Sequence, residues 1–172
     1  MAAPYLTDYS FVARLSATNT QYPGPVGTWE YSPGMHNSKL WHAGSWLTTT
    51  RRDSTPQALW FGAVEYGDEG HVFEIRLWAG QPGSPLYNRR IDKSKNGYLG
   101  VYGLGPAVGP LWRLSQEGGQ LRIATLEGQP VGVAWDHAVW TSGRRGSYLC
   151  IAEGGGARFD IEIVQGAVAE PL

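Results

Sequence analysis

The stretch Gly97-Tyr98-Leu99-Gly100-Val101-Tyr102, followed after a Gly/Pro run by Leu111-Trp112-Arg113-Leu114, a Gly118-Gly119 turn and Leu121-Arg122-Ile123, decides how the chain is built. It reads as strand, loop, strand, tight turn, strand. The same phrase stands earlier as Gly44-Ser45-Trp46-Leu47, Leu59-Trp60-Phe61 and Phe73-Glu74-Ile75, and later as Gly146-Ser147-Tyr148-Leu149 and Arg158-Phe159-Asp160-Ile161. Leu47 to Leu99 is 52 residues and Leu99 to Leu149 is 50. A unit that returns at a nearly fixed period marks an internally repeated architecture, and three copies suit a closed threefold fold better than an open array.

Working outward, Phe11-Val12-Ala13-Arg14-Leu15 alternates as a half-buried strand does, and Phe73-Glu74-Ile75-Arg76-Leu77 echoes it. Phe73 to Leu121 and Gln81 to Gln129 are both 48 residues apart, so the register extends from the strand into the turn that follows. Asn96-Gly97 predicts a type I′ hairpin, and Gly118-Gly119 and Gly67-Asp68-Glu69-Gly70 predict further turns. Gly103, Gly105, Pro106, Gly109 and Pro110 exclude a helix between Tyr102 and Leu111. No segment carries an amphipathic helical period. Residues 28–43, 84–95 and 131–145 read as long, variable connections, where recognition usually sits. The segment from Gln165 to Leu172 reads as a frayed tail.

With 172 residues and 42% hydrophobic content, the chain is expected to form one domain with a sizeable core. The 24 glycines and 11 prolines, without a collagen period, are what many turns between short strands require, so the fold class is all-β. A net charge of −1 provides no field for phosphate backbones or anionic lipid, which argues against nucleic acid or membrane as partner. No apolar run approaches the ~20 residues of a spanning helix. Cys150 is the single cysteine and sits in the apolar phrase Tyr148-Leu149-Cys150-Ile151, as a packed thiol does. The first residues lack a basic and then apolar leader, so the expectation is a soluble protein, cytoplasmic or secreted without a visible signal.

Three units of about four short strands give about twelve strands. The closed way to bury them is a six-stranded barrel capped by three hairpins, the β-trefoil, with repeats over approximately 11–70, 71–119 and 120–165. Leu47, Leu99 and Leu149, with Trp60, Trp112 and Phe159, are then its symmetry-related core residues. Gly27-Thr28-Trp29 ahead of strand-rich sequence resembles the opening of lipocalin and avidin-type up-and-down barrels, the alternative architecture. The phrase Gly-x-aromatic-Leu followed by Leu-Trp-x-Leu and a turn resembles the ricin-B-like β-trefoil lectins over most of residues 11–164, which implies a sugar-binding trefoil. Two departures stand out. Ala58, Pro110 and Ala157 occupy the places of the family's Gln in its Gln-x-Trp motif, and Thr49, Val101 and Ile151 stand where the sugar-binding Asp is expected.

Among side chains able to carry chemistry, Trp46, Trp60 and Trp112 read as core, and Trp29, Trp41, Trp135 and Trp140 as rings in the connections. A flat ring can stack on the C–H face of a sugar. Trp135-Asp136-His137-Ala138-Val139-Trp140 combines two such rings with a carboxylate and an imidazole. Trp41-His42 offers a second set, and Asn88 with Asp92 a third. Arg51-Arg52, Arg89-Arg90 and Arg144-Arg145 are guanidinium pairs suited to carboxylate, sulfate or phosphate. His36, His42, His71 and His137 have no metal-ligand spacing, and no nucleophile stands beside a base, so neither a metal nor a cofactor is expected. The expected function is non-enzymatic carbohydrate binding, with a glycan or other small molecule as partner. The alternatives are a protease-inhibitor trefoil acting through the Ser84-to-Lys95 loop with Arg89-Arg90, and an enzyme on a small apolar substrate using Asp136, His137 or His42.

Overall fold

The computed structural model describes residues 4–31, 41–78, 88–138, 144–151 and 156–171, with backbone only for 136–138, 144 and 145. The described residues are all-β. Thirteen strands run β1 (Phe11–Ala17), β2 (Gly24–Pro25), β3 (Gly27–Tyr31), β4 (Trp41–Thr48), β5 (Ala58–Glu65), β6 (His71–Leu77), β7 (Arg90–Lys93), β8 (Leu99–Tyr102), β9 (Trp112–Glu117), β10 (Gln120–Thr125), β11 (Val131–Ala138), β12 (Arg144–Ile151) and β13 (Phe159–Gly166). Two single 3-10 turns, Thr7–Tyr9 and Gly67–Glu69, are the helical elements among the described residues. None of the described helices is long and apolar enough to cross a membrane.

Six strands close into a barrel in the order β1-β5-β6-β9-β10-β13 and back to β1. Closure leaves no continuous sheet edge to template aggregation. The remaining long strands form three antiparallel hairpins, β3–β4, β7–β8 and β11–β12. Besides the pairing of Tyr31 with Arg145, three bridges join those hairpins to one another. Trp46 pairs with Gly100, Tyr98 with Cys150, and Tyr148 with Thr48. Each bridge therefore links the residue before one of Leu47, Leu99 and Leu149 to the residue after another, in a closed cycle. All three leucines are buried in the main core cluster. Gly100 permits this approach, because a Cβ there would meet the rings of Trp46 and Tyr102 at 3.1 Å.

Inside the barrel, Phe11 pairs with Phe61, Phe73 with Trp112, and Leu121 with Phe159. Phe61, Trp112 and Phe159 thus share the main core cluster, and Trp60 does not. A one-residue shift on a strand exchanges the two faces of the sheet, and Trp60 accordingly points outward into a second, smaller cluster with Val12 and Val168. That cluster explains why β5 reads Ala-Leu-Trp-Phe-Gly-Ala-Val with apolar residues on both faces. Gly62 belongs to the same packing, since a Cβ there would run into the Trp60 indole.

Four other expectations need correction. Trp29, Trp41 and Trp135 lie on strands rather than in loops, because the variable segments themselves form the hairpins. Asn96 keeps a negative φ, and only Gly97, at φ 85°, is left-handed, with its amide donating to the Ser94 carbonyl at 3.0 Å. The turn is thus a tight turn closed by a glycine bulge, and the both-positive geometry occurs instead at Gly118 (61°) and Gly119 (82°). The C-terminal segment is docked: the Trp60 indole donates to the Val168 carbonyl at 3.0 Å, and the Val168 amide to the Ser10 carbonyl at 2.9 Å. Finally, Trp46 is half-buried rather than a core residue.

If the cycle of leucines closes the fold, Leu99→Ala lowers the unfolding free energy by about 2–5 kcal/mol, whereas Leu104→Ala, at a site 49% exposed, changes it little. Urea denaturation followed by far-ultraviolet circular dichroism checks both outcomes.

Candidate functional site

The sequence-derived site residues separate into four surroundings. Hairpin β3–β4 is two-faced because successive side chains on a strand alternate. Trp29 opposes Ala43 and Tyr31 opposes Trp41, while Glu30 opposes His42 on the other face. The inward face is polar yet buried: the Tyr148 hydroxyl donates to Glu30 Oε2 at 2.6 Å, and Gly44 leaves the room that the Glu30 carboxylate occupies. The outward face is aromatic. The rings of Tyr31 and Trp41 lie 5.1 Å apart, and the Arg51 guanidinium carbon sits 4.4 Å from the Trp29 ring centre and 5.4 Å from that of Trp41. Cation–π stacking of this kind fixes the orientation of a guanidinium and of the rings beneath it.

Trp135 projects from β11, 44% exposed, with Tyr22 beside it at 6.0 Å between ring centres. Asp136 and His137 follow it on the same strand, opposite Gly146 and Arg145. Trp140 lies outside the described residues, as do His36 and Tyr87. Asp92 is on β7, where its own carboxylate accepts the Lys93 amide at 2.7 Å; burial and the Asp92 charge together raise the Tyr102 hydroxyl above its ordinary pKa.

Asn88 belongs elsewhere. It takes a left-handed φ of 61°, its Oδ1 accepts from Arg76 at 3.0 Å, and its Nδ2 donates to the Pro171 carbonyl at 3.0 Å. It is one member of a buried cluster that pattern reading missed. Glu74 and Arg76 are 1% and 3% exposed. Arg76 Nε donates to Glu74 Oε2 at 2.7 Å, the Tyr5 hydroxyl donates to the same oxygen at 2.5 Å, and the Gly109 amide donates to Glu74 Oε1 at 2.9 Å. Arg76 also donates to the Tyr5 oxygen at 2.9 Å and reaches Glu170 at 3.4 Å. The guanidinium lies 5.0 Å from the Trp60 ring centre. Burial, then the Glu74 carboxylate, hold the Tyr5 phenol protonated well above its usual range. Burial opposes the Arg76 charge, but the adjacent Glu74 outweighs it and raises the Arg76 pKa.

This cluster lines a cleft of about 520 Å³ walled by Leu104 to Val108 and Glu170. Its donors and acceptors are largely directed at one another, so it acts chiefly as a clamp that fastens both ends of the chain to β6. The sequence signal was weak for a physical reason: charged residues two apart on a strand look the same whether water or another segment covers them.

The remaining candidates are simpler. Arg90 donates to the Gly109 carbonyl at 2.7 Å and so serves the 103–110 loop; residues 84–87 of the loop in the inhibitor reading lie outside the described residues. Thr49 and Val101 are buried and Ile151 packs on the core, so the places expected for a sugar-binding Asp are here taken up by packing. Thr49 and Ser147 share a hydroxyl hydrogen bond of 2.8 Å there. Cys150 is half-buried, and burial raises its thiol pKa, which favours the unreactive protonated form. Among the described residues no group of three or more His, Cys, Asp or Glu is arranged to hold a metal ion. Comparison of the chain with protein-family models, curated proteins and solved structures returned no match.

Two outcomes follow for the clamp. Glu74→Gln leaves a buried guanidinium without its counter-charge and costs about 3–5 kcal/mol of stability, while Glu74→Gln with Arg76→Met costs less than the single change; chemical denaturation measures both. Because the Tyr5 pKa is raised on folding, its contribution is complete below about pH 10, where the unfolded phenol is still protonated, and declines above it. The stability difference between wild type and Tyr5→Phe is therefore constant from pH 7 to 9 and narrows as pH rises beyond 10.

Proposed function

We propose that the chain is a β-trefoil that binds carbohydrate without enzymatic action, through the outward face of hairpin β3–β4. Three features support the trefoil reading: a six-stranded closure, one hairpin between successive barrel pairs, and a cyclic set of bridges around Leu47, Leu99 and Leu149. An up-and-down barrel would instead pair strands in sequence order, whereas here β1 pairs with β5, β6 with β9 and β10 with β13.

The observation that carries the binding reading is the ring surface made by Tyr31 and Trp41 with Arg51 laid across Trp29 and Trp41. Sugar rings present one face of C–H groups bordered by hydroxyls. An indole supplies the apolar contact, and a guanidinium edge supplies donors for the hydroxyl oxygens. Trp135 with Tyr22 is a second ring surface, on β11 of the same hairpin set, and makes a secondary subsite.

An array of neutral and charged oligosaccharides, followed by calorimetric titration of the best ligand, tests the reading. Trp41→Ala is expected to weaken binding at least tenfold with little change in thermal midpoint, and Trp135→Ala to weaken it less. Absence of saturable binding to every saccharide at millimolar concentration would sink the proposal.

A further inference from the structure

The state of Arg51 narrows the ligand class. Its guanidinium is held by two indoles, but stacking engages the flat face of the group and leaves its in-plane N–H donors unspent. Nε is buried without a hydrogen-bond partner, and among the described residues the two terminal amines have none either. The nearest carboxylate, Asp53, lies 3.5 Å from Nε with its side chain 83% exposed. Such a loose, solvated pair contributes little and is readily replaced by a better acceptor. Arg52 follows on the exposed side, so residues 51–53 carry two positive charges against one negative.

Most other arginines that the structure describes are committed. Arg76 is spent on Glu74, Asn88 and Tyr5, Arg90 on Gly109, Arg113 on Glu69 and the Leu126 carbonyl, Arg122 and Arg158 on Glu117. Arg51 differs in combining a fixed orientation, partial burial and free donors. A positioned guanidinium fork with unspent donors is matched best by a two-oxygen anion, which accepts both hydrogen bonds in one plane. Tyr31, whose ring lies 5.1 Å from that of Trp41, adds aromatic surface beside the guanidinium.

Resting on the carbohydrate-binding reading of this hairpin, we propose that the site takes saccharides that carry an acidic group, a uronate carboxylate or a sulfate ester, with Arg51 as the anion-binding residue. A nucleic acid also offers rings and anions. The chain's net charge of −1, however, lacks the extended positive field that a polyphosphate backbone requires.

The test uses matched ligands: cellobiose, its glucuronate counterpart in which one C6 is a carboxylate, its 6-sulfate, and an oligothymidylate, each titrated into the full chain by calorimetry at 50 and 500 mM salt. The expected result is that one or both acidic sugars bind roughly tenfold or more tightly than cellobiose, less so at high salt. The carboxylate and sulfate arms separate the two sources of the anion. Arg51→Met removes the preference, and Arg51→Lys, which retains the charge but not the fork, restores only part of it. The lysine variant also guards against a methionine variant that fails to fold, and thermal melts of both report on that. Equal affinity for cellobiose and both acidic sugars, or an unaltered preference in Arg51→Lys and Arg51→Met, overturns the acidic-sugar assignment while the carbohydrate reading stands. Binding of none of the three sugars here, together with no saccharide bound on the array, overturns both. Tighter binding of the oligothymidylate than of any sugar overturns the assignment in favour of a polyanion site.

Discussion

The constraint on which the rest depends is the mutual bridging of three hairpins around Leu47, Leu99 and Leu149. Each leucine is flanked by one residue that pairs to the next hairpin and one that pairs to the previous one, so no hairpin can be repositioned without breaking two contacts. Directional hydrogen bonding fixes the arrangement, and the leucines between the bridges are thereby turned into the core. A ring of antiparallel contacts also means that much of the core is assembled from residues far apart in sequence, a non-local topology in which long loops must close before the contacts can form.

A second constraint acts on the outside of the barrel. Trp60, Val12 and Val168 form an outer cluster, and beside it Glu74 and Arg76 are buried as a hydrogen-bonded pair closed over by Tyr5 from one end of the chain and Glu170 and Pro171 from the other. Burying two opposite charges is stabilising only when nearly every donor and acceptor is matched, as here. Through that pair, Tyr5 and Glu170 are held in the wall of the cleft beneath the 104–108 loop.

The two constraints explain where aromatic surface is left over. Core-facing positions of the hairpins are used by the leucines and their neighbours, so the opposite face of β3–β4 is free to carry Trp29, Tyr31 and Trp41, and the exposed side of β11 to carry Trp135. The hairpin is tied down at its base, where the Thr48 hydroxyl donates to the Trp29 carbonyl at 2.6 Å and the Tyr148 hydroxyl to Glu30. On the binding reading proposed for this hairpin, rings presented from a strand that is fastened underneath would have less orientation to lose to a ligand, which reduces the ordering cost of binding.

Composition and spacing determined a good deal by themselves. Glycine and proline usage, alternation in Phe11 to Leu15 and Phe73 to Leu77, and the spacing of the three leucines were sufficient for the all-β class and for several of the strands, but not for those that the connecting segments form, because local propensity and burial period are written residue by residue only where one face of a strand is covered. Tertiary structure alone decided which of two adjacent aromatics, Trp60 or Phe61, enters the barrel, since both faces of that strand are covered and the pattern no longer distinguishes them. It alone decided that Asn88 serves Arg76 rather than Asp92, that the C-terminal segment is docked, and that Arg51 meets Trp29 and Trp41. Those are contacts between segments distant in sequence, and a side chain's chemistry gives no indication of which partner the closed fold will bring to it.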